Sequence, residues 1–178
     1  METKVILISG KAGSGKDTFA TFLDTMLTST GKRVQILHFA DILKFFCKEY
    51  YGWDGQKDEK GRGILINVGT HLARANNPDI WVNILIEYYK AFHTEYDVFL
   101  IPDCRFPNEI ERWQELQVPM ASVRMLRDIQ ITSDETAADI SETALDDWLF
   151  DYFIENNGTL DALKCAAEAV AFDIENLY

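Results

Sequence analysis

Apolar residues follow two rhythms along this chain. Val5-Ile6-Leu7-Ile8 is an unbroken apolar run closed by Ser9-Gly10, the pattern of a strand covered on both faces in a parallel sheet, and it predicts the central strand. From Asp17 to about Thr28 the apolar side chains Phe19, Phe22, Leu23, Met26 and Leu27 recur at helical spacing, and Gly31 supplies the stop. Val34 to Phe39 reads as a second strand, and Asp41 to Tyr51 as a helix ending at Gly52. Trp53 to Gly63 is polar, glycine-rich and mixed in charge. Two helical stretches follow it, about Ile64 to Ala75 and Pro78 to His93, so that residues 53–93 read as an insertion into a core of 1–52 and 94–178. Tyr96 to Ile101, Ala121 to Leu126 and the short Tyr152 to Ile154 are further strands, with a helix over Asn108 to Gln117 and an amphipathic one after Gly158. Strands alternating with helices predict an α/β fold with an open, mostly parallel, doubly wound sheet and ligands at the carboxyl ends of its strands. Asp128 to Glu142 has weak periodicity and many Asp, Ser, Thr and Glu, which suits a lid over about 127–142.

Composition narrows the partners. With 178 residues, 47% hydrophobic and 12% aromatic, the chain has material for one buried core and a single domain. Twenty-nine acids against seventeen bases leave a net charge of −12, which argues against a polynucleotide or an anionic membrane as partner. A phosphate ligand would need a local cluster of cations and backbone N–H groups working against that field. Cys47, Cys104 and Cys165 are far apart, without a zinc-like or disulfide-like spacing, and no apolar run approaches membrane length. Free thiols and a start without signal-peptide build give a cytoplasmic expectation.

Between the first strand and first helix stands Gly10-Lys11-Ala12-Gly13-Ser14-Gly15-Lys16-Asp17-Thr18. A glycine-rich turn in this place lets backbone N–H groups curl round phosphates at a helix N-terminus, which makes Gly10, Gly13, Ser14, Gly15, Lys16, Asp17 and Thr18 the ATP-binding candidates of a P-loop. Lys16 would reach the β- and γ-phosphates. Where the usual motif has Ser or Thr after the lysine to hold Mg²⁺, this chain has Asp17, with Thr18 one place later. Asp17 reads either as a magnesium ligand or guide for Lys16, or as a favourable charge at a helix start.

Phosphoryl transfer also needs cations for the acceptor phosphate, and bidentate arginines suit that task. Arg62 and Arg74 flank the predicted helix Ile64 to Ala75, Arg105 follows the third strand, and Arg124 and Arg127 lie at the end of the fourth. Val98 to Asp103 resembles a Walker-B strand, with Pro102 expected to end it and Asp103 to emerge as a magnesium or substrate contact. Phe39, Trp53 and Trp81 are base-stacking candidates, though aromatic residues at such spacing are more often core. His38, His71 and His93 read as structural.

Taken in order, Ser9-Gly10 to Thr18, His38-Phe39-Ala40-Asp41, Gly61-Arg62 through Val68-Gly69-Thr70, Arg74 with Pro78 to Asn83, Asp103 to Glu109, Ser141-Glu142, and Asp151 through Ile154 to Leu160 resemble the deoxynucleoside monophosphate kinases of bacteriophages and some bacteria. The resemblance implies an adenylate-kinase-like P-loop fold with a helical acceptor-binding insertion and a lid, using ATP and Mg²⁺ to convert dNMP to dNDP. It implies a cytoplasmic site of action, the host's if the chain is phage-encoded. Lys16 would bind ATP phosphates, Arg62, Arg74 and Arg105 would handle the acceptor and transferring phosphates, Arg127 would be the lid arginine, and Phe39, Asp41, Trp81 and Asp103 would line the substrate. The animal phosphomevalonate kinases look like distant relatives through the Ser-Gly-Lys-Asp loop and late Ser-Glu pair, which keeps another small phosphorylated acceptor open. A second class of reading is an NTP-driven switch that phosphorylates nothing, a third is a degenerate binding module, against which the intact Lys16 weighs, and homodimerisation is left open.

Overall fold

The computed structural model describes residues 2–56, 58–128 and 140–176. Its centre is a five-stranded, wholly parallel sheet built from β1 (Lys4–Gly10), β2 (Val34–Ile36), β3 (Val98–Cys104), β4 (Met120–Leu126) and β5 (Tyr152–Glu155), in the order β2-β3-β1-β4-β5. The helices are α1 (Lys16–Ser29), α2 (Phe39–Tyr50), α3 (Glu59–Ile66), α4 (Ile80–Phe92), α5 (Pro107–Glu115) and α6 (Leu160–Asn176). A π-helical stretch, Asn67–Arg74, continues α3 directly.

The continuous apolar run of β1 is explained by what covers it. Ile6 and Ile8 face a core shared with Phe19, Leu23 and Leu27 of α1 and Leu163, Ala167 and Val170 of α6. Val5 and Leu7 face the opposite layer, with Trp81, Val82 and Leu85 of α4 and Ile110 and Trp113 of α5. Each of the four β1 side chains is fully buried, worth about 1.5–3 kcal/mol apiece. A third, smaller cluster joins Cys47, Trp53 and Val68 between α2 and the α3/π segment.

Several element boundaries differ from the sequence expectation, α3 for one starting at Glu59, capped by the Asp58 carboxylate, inside the stretch read as a polar connector. Strand β2 stops at Ile36, and the helix expected from Asp41 begins at Phe39, because the Asp103 carboxylate reaches across from β3 to accept the N–H groups of Phe39 at 3.0 Å and Ala40 at 2.9 Å. Pro102 was expected to end β3, yet the strand runs on to Cys104. The register advances from Leu7 to Ser9 on β1 while its partner advances from Ile101 to Cys104, a bulge that leaves the proline without a ladder bond to supply. The lid expectation falls mostly on residues 129–139, outside the described residues. Among the described residues no helix is long and apolar enough to cross a membrane.

Candidate functional site

The loop after β1 is held open by its glycines and by two side chains from elsewhere. Gly10 has φ +150°, and a Cβ there would stand 2.6 Å from Ser14 Oγ and 2.7 Å from the Met125 carbonyl. Gly15 has φ +93°, and a Cβ would strike the Asn156 amide, whose Nδ2 donates to the Ser14 carbonyl at 2.9 Å. Asn156, just past β5, therefore fixes the backbone curl. On the other side Glu142 Oε2 accepts the Ala12 N–H at 2.7 Å.

Lys16 opens α1 and is only 8% exposed. Its ammonium donates to the Gly10 carbonyl at 2.6 Å and the Lys11 carbonyl at 2.8 Å, and among the described residues it has no ion pair. Burial, then the neighbouring Arg105, bring its pKa down from 10.5 to about 8, against the pull of Glu142, Asp17 and Asp103. A buried cation resting on carbonyls, beside a loop of N–H groups at a helix start, is an arrangement completed by an anion.

Arg105 follows β3, and its Nη1 meets Ser141 Oγ at 3.3 Å and pairs with Glu142. Burial opposes ionisation of Glu142, but Arg105, the Ala12 N–H and Lys16 together hold its carboxyl below the usual range. The Arg105 backbone N–H donates to Glu109 Oε2 at 2.7 Å, and Phe106 N–H to the same oxygen at 3.1 Å. The other oxygen, Oε1, accepts Arg74 Nη2 at 2.6 Å, and the Arg74 guanidinium stacks 4.2 Å over the Phe106 ring. Glu109, 1% exposed, thus joins the π-helical segment to the strand-end loop that carries Arg105. Its burial pushes its carboxyl up, and the arginine and backbone donors act against that.

The other expected residues are distributed as follows. Arg127, exposed after β4, donates to the Gly13 carbonyl at 3.2 Å, so it does reach the loop. Asp128 and Asn157 clasp one another, the Asp128 N–H donating at 2.8 Å and Asn157 Nδ2 donating back at 3.0 Å, which ties the loops after β4 and β5 together. Arg124 is buried, bonded to Ser9 Oγ at 3.0 Å and paired with Asp146, which also attracts Lys11 at 3.7 Å. Arg62 is exposed on α3.

Asp17 is 82% exposed and lies 3.4 Å from His38 Nε2, while His38 Nδ1 faces Asp41 at 3.4 Å and Asp41 pairs with Lys44 at 2.8 Å. Thr18 is exposed beside Asp17. Of the residues named for magnesium, Asp17 fits best, with an open carboxylate in the first turn of α1. Asp103 fits less well, since both its oxygens serve the N-terminus of α2, and burial pushes its carboxyl up in spite of those bonds.

Phe39 and Trp81, named for base stacking, are each 4% exposed and belong to the core under β1 and β3. Trp81 Nε1 donates to the Gly69 carbonyl at 3.2 Å, and Trp53 Nε1 to the Gln56 carbonyl at 2.7 Å. These rings present no free face to a base, because their surfaces are spent on packing. A cleft of about 540 Å³ opens instead beside the phosphate loop, walled by Met125, Leu126, Phe150 and Phe153 and fringed by Lys11 and Arg127.

Sequence reasoning gave no role to Glu109, Glu142 and Asn156. Glu109 carried a signal, an acid two residues after Pro107 at the start of a helix, where a capping acid belongs. Glu142 and Asn156 lie in segments that carry the family resemblance, but their partners, Ala12 and Ser14, are more than a hundred residues away, so the sequence marked the positions without a role.

No family model and no curated protein matches this sequence. The fold is similar to that of kinases of known structure. APS kinase CysC of Mycobacterium tuberculosis, in complex with AMPPNP and APS, superposes with a TM-score of 0.54 at 11% identity, over 98% of this chain and 98% of that one. A mutant of the same kinase gives 0.52 at 12% identity over 98% and 99%. A sugar kinase from Janibacter sp. HTCC2649 gives 0.50 at 11% identity over 99% and 96%. At these identities the likeness is one of fold.

Proposed function

We propose that this chain transfers the γ-phosphoryl group of ATP to a deoxynucleoside 5′-monophosphate, giving the diphosphate and ADP. The observation that carries the reading is the meeting of Lys16 and Arg105 at the mouth of the phosphate loop, with Arg74 tied to the same corner through Glu109. A single nucleotide would be served by Lys16 and the loop. The two guanidiniums beside it, Arg74 and Arg105, suit a second anion, and the fold neighbour that holds AMPPNP together with APS supports a site of that kind.

Such a transfer asks the protein for alignment and charge neutralisation rather than covalent chemistry. The acceptor phosphate oxygen is already ionised at neutral pH, so no general base is required. In this reading the loop N–H groups and Lys16 hold the donor phosphates, Arg105 neutralises the transferring group, Arg74 and Arg62 bind the acceptor phosphate, and Arg127 covers the donor side. Asp17, with its open carboxylate in the first turn of α1, would be the residue to hold Mg²⁺, which would supply charge neutralisation for the donor phosphates.

The test is a coupled assay with ATP and Mg²⁺, presenting each dNMP, each NMP and phosphomevalonate in turn. Acceptor-dependent ADP release with one or more dNMPs is expected. Turnover with phosphomevalonate alone would move the assignment to the second acceptor class, and ATP hydrolysis indifferent to every acceptor would make the chain a nucleotide-driven switch.

A further inference from the structure

Glu142 is a nearly buried carboxylate, 5% exposed, at a place where positive charge is gathered for phosphates. A lone acid there would repel the ligands, so its presence asks for a reason. One oxygen takes the Ala12 N–H, the other pairs with Arg105, and Ser141 beside it touches the same Nη1. The turn bearing these residues is itself anchored. Thr143 and Ala144 N–H groups close back on the Ile140 carbonyl, Leu145 is buried in the core against α4 and α5, and Asp146 grips Arg124 and Lys11. Two acids one turn apart therefore hold two successive loop residues, Asp146 holding Lys11 and Glu142 holding Ala12.

Arg105 is fixed at both ends as a result, by Glu109 at its backbone and by Glu142 at its guanidinium. Among the described residues only Nη1 is engaged, which leaves Nε and Nη2 to donate to phosphate oxygens. A side chain ordered before substrate arrives has already lost the rotamer entropy that binding would otherwise cost.

We propose that Glu142 is a positioning residue: by holding the Ala12 N–H with one oxygen and Arg105 with the other, it sets the guanidinium against the corner of the phosphate loop where transfer takes place. The inference rests on the phosphotransfer reading, and it acts through Arg105 rather than through contact with substrate.

The test uses the full chain with Glu142→Gln, Glu142→Ala and Arg105→Ala, each checked for folding by its thermal transition. Glu142→Gln keeps an acceptor for Ala12 and loses the ion pair, and is expected to lower kcat about 30- to 100-fold while KM for ATP moves less than about threefold. An unchanged kcat, or a loss confined to KM, overturns the proposal. A second readout needs no acceptor: hydrogen exchange of the Ala12 amide in nucleotide-free protein should accelerate at least about tenfold in Glu142→Ala and at least about threefold in Arg105→Ala, since Arg105 steadies the carboxylate. Wild-type exchange at Ala12 in Arg105→Ala means the two contacts are independent and also overturns it. Should Glu142→Ala fail to fold, Glu142→Gln and Arg105→Ala still decide the matter. If the wild type phosphorylates no dNMP, the functional reading fails, and the linkage stands or falls on Ala12 exchange alone.

Discussion

The phosphate loop and the strand-end corner around Arg105 hold their cations in opposite ways. Lys16 is buried, bonded to two carbonyls and without an ion pair among the described residues, and burial outweighs the pull of the nearby acids, so its charge is costly until an anion comes. Arg74 and Arg105 are each matched to a nearly buried carboxylate, so their charge is settled and their geometry fixed in advance. The first region stores unfavourable electrostatics to be relieved by the ligand, whereas the second spends stability on orientation. A donor site that must grip a polyphosphate and an acceptor site that must align one oxygen would call for that division.

The comparison breaks most visibly at the cations themselves. Lys16→Met and Arg105→Ala should each cut turnover by about a thousandfold or more with the fold intact, measured by the coupled assay and circular dichroism. They should part company in stability. Lys16→Met removes a buried charge whose lowered pKa corresponds to about 3 kcal/mol, so the ligand-free variant should be more stable at pH 7 by about 1–3 kcal/mol in urea unfolding. At Arg74 the sign reverses. Arg74→Ala strands the Glu109 carboxylate, and a loss of about 3 kcal/mol is expected, largely recovered in the Arg74→Ala, Glu109→Gln double variant.

The pH dependence sharpens the same contrast. Below about pH 8 Lys16 holds its proton in the folded and the unfolded chain alike. Between about 8 and 10.5 the unfolded chain binds that proton more tightly, so the contribution of Lys16 to unfolding free energy grows with pH across that window. The difference between wild type and Lys16→Met in urea midpoints should therefore shrink as pH rises from 8 to 10; a constant difference would refute the depressed lysine. The smallest effect is expected at Asn156. Replacing it by Ala removes one bond to the Ser14 carbonyl and should cost about 1 kcal/mol, with a modest rise in KM for ATP.

What could be read from the sequence was what is encoded locally. The run Val5 to Ile8, the glycine loop and the periodic helix after it fix one another within about thirty residues, and the structure has all of them in sequence. Long-range contacts were opaque. The start of α2 at Phe39 depends on a carboxylate sixty-four residues away, and the continuation of β3 through Pro102 on a bulge that propensity does not announce. The π-helical winding of Asn67–Arg74, which carries Arg74 to Glu109, looks like any amphipathic helix in a list of residues. Phe39 and Trp81 show that residue type alone leaves a ring's task open: both could stack on a base, and both are packed in the core.

The Asp103 cap has a mechanical consequence. With the end of β3 clamped to the first two N–H groups of α2, that helix start is stapled to the sheet. Any rearrangement of α3 would therefore have to pivot farther along, past Ala40, carrying the contacts among Cys47, Trp53 and Val68 with it.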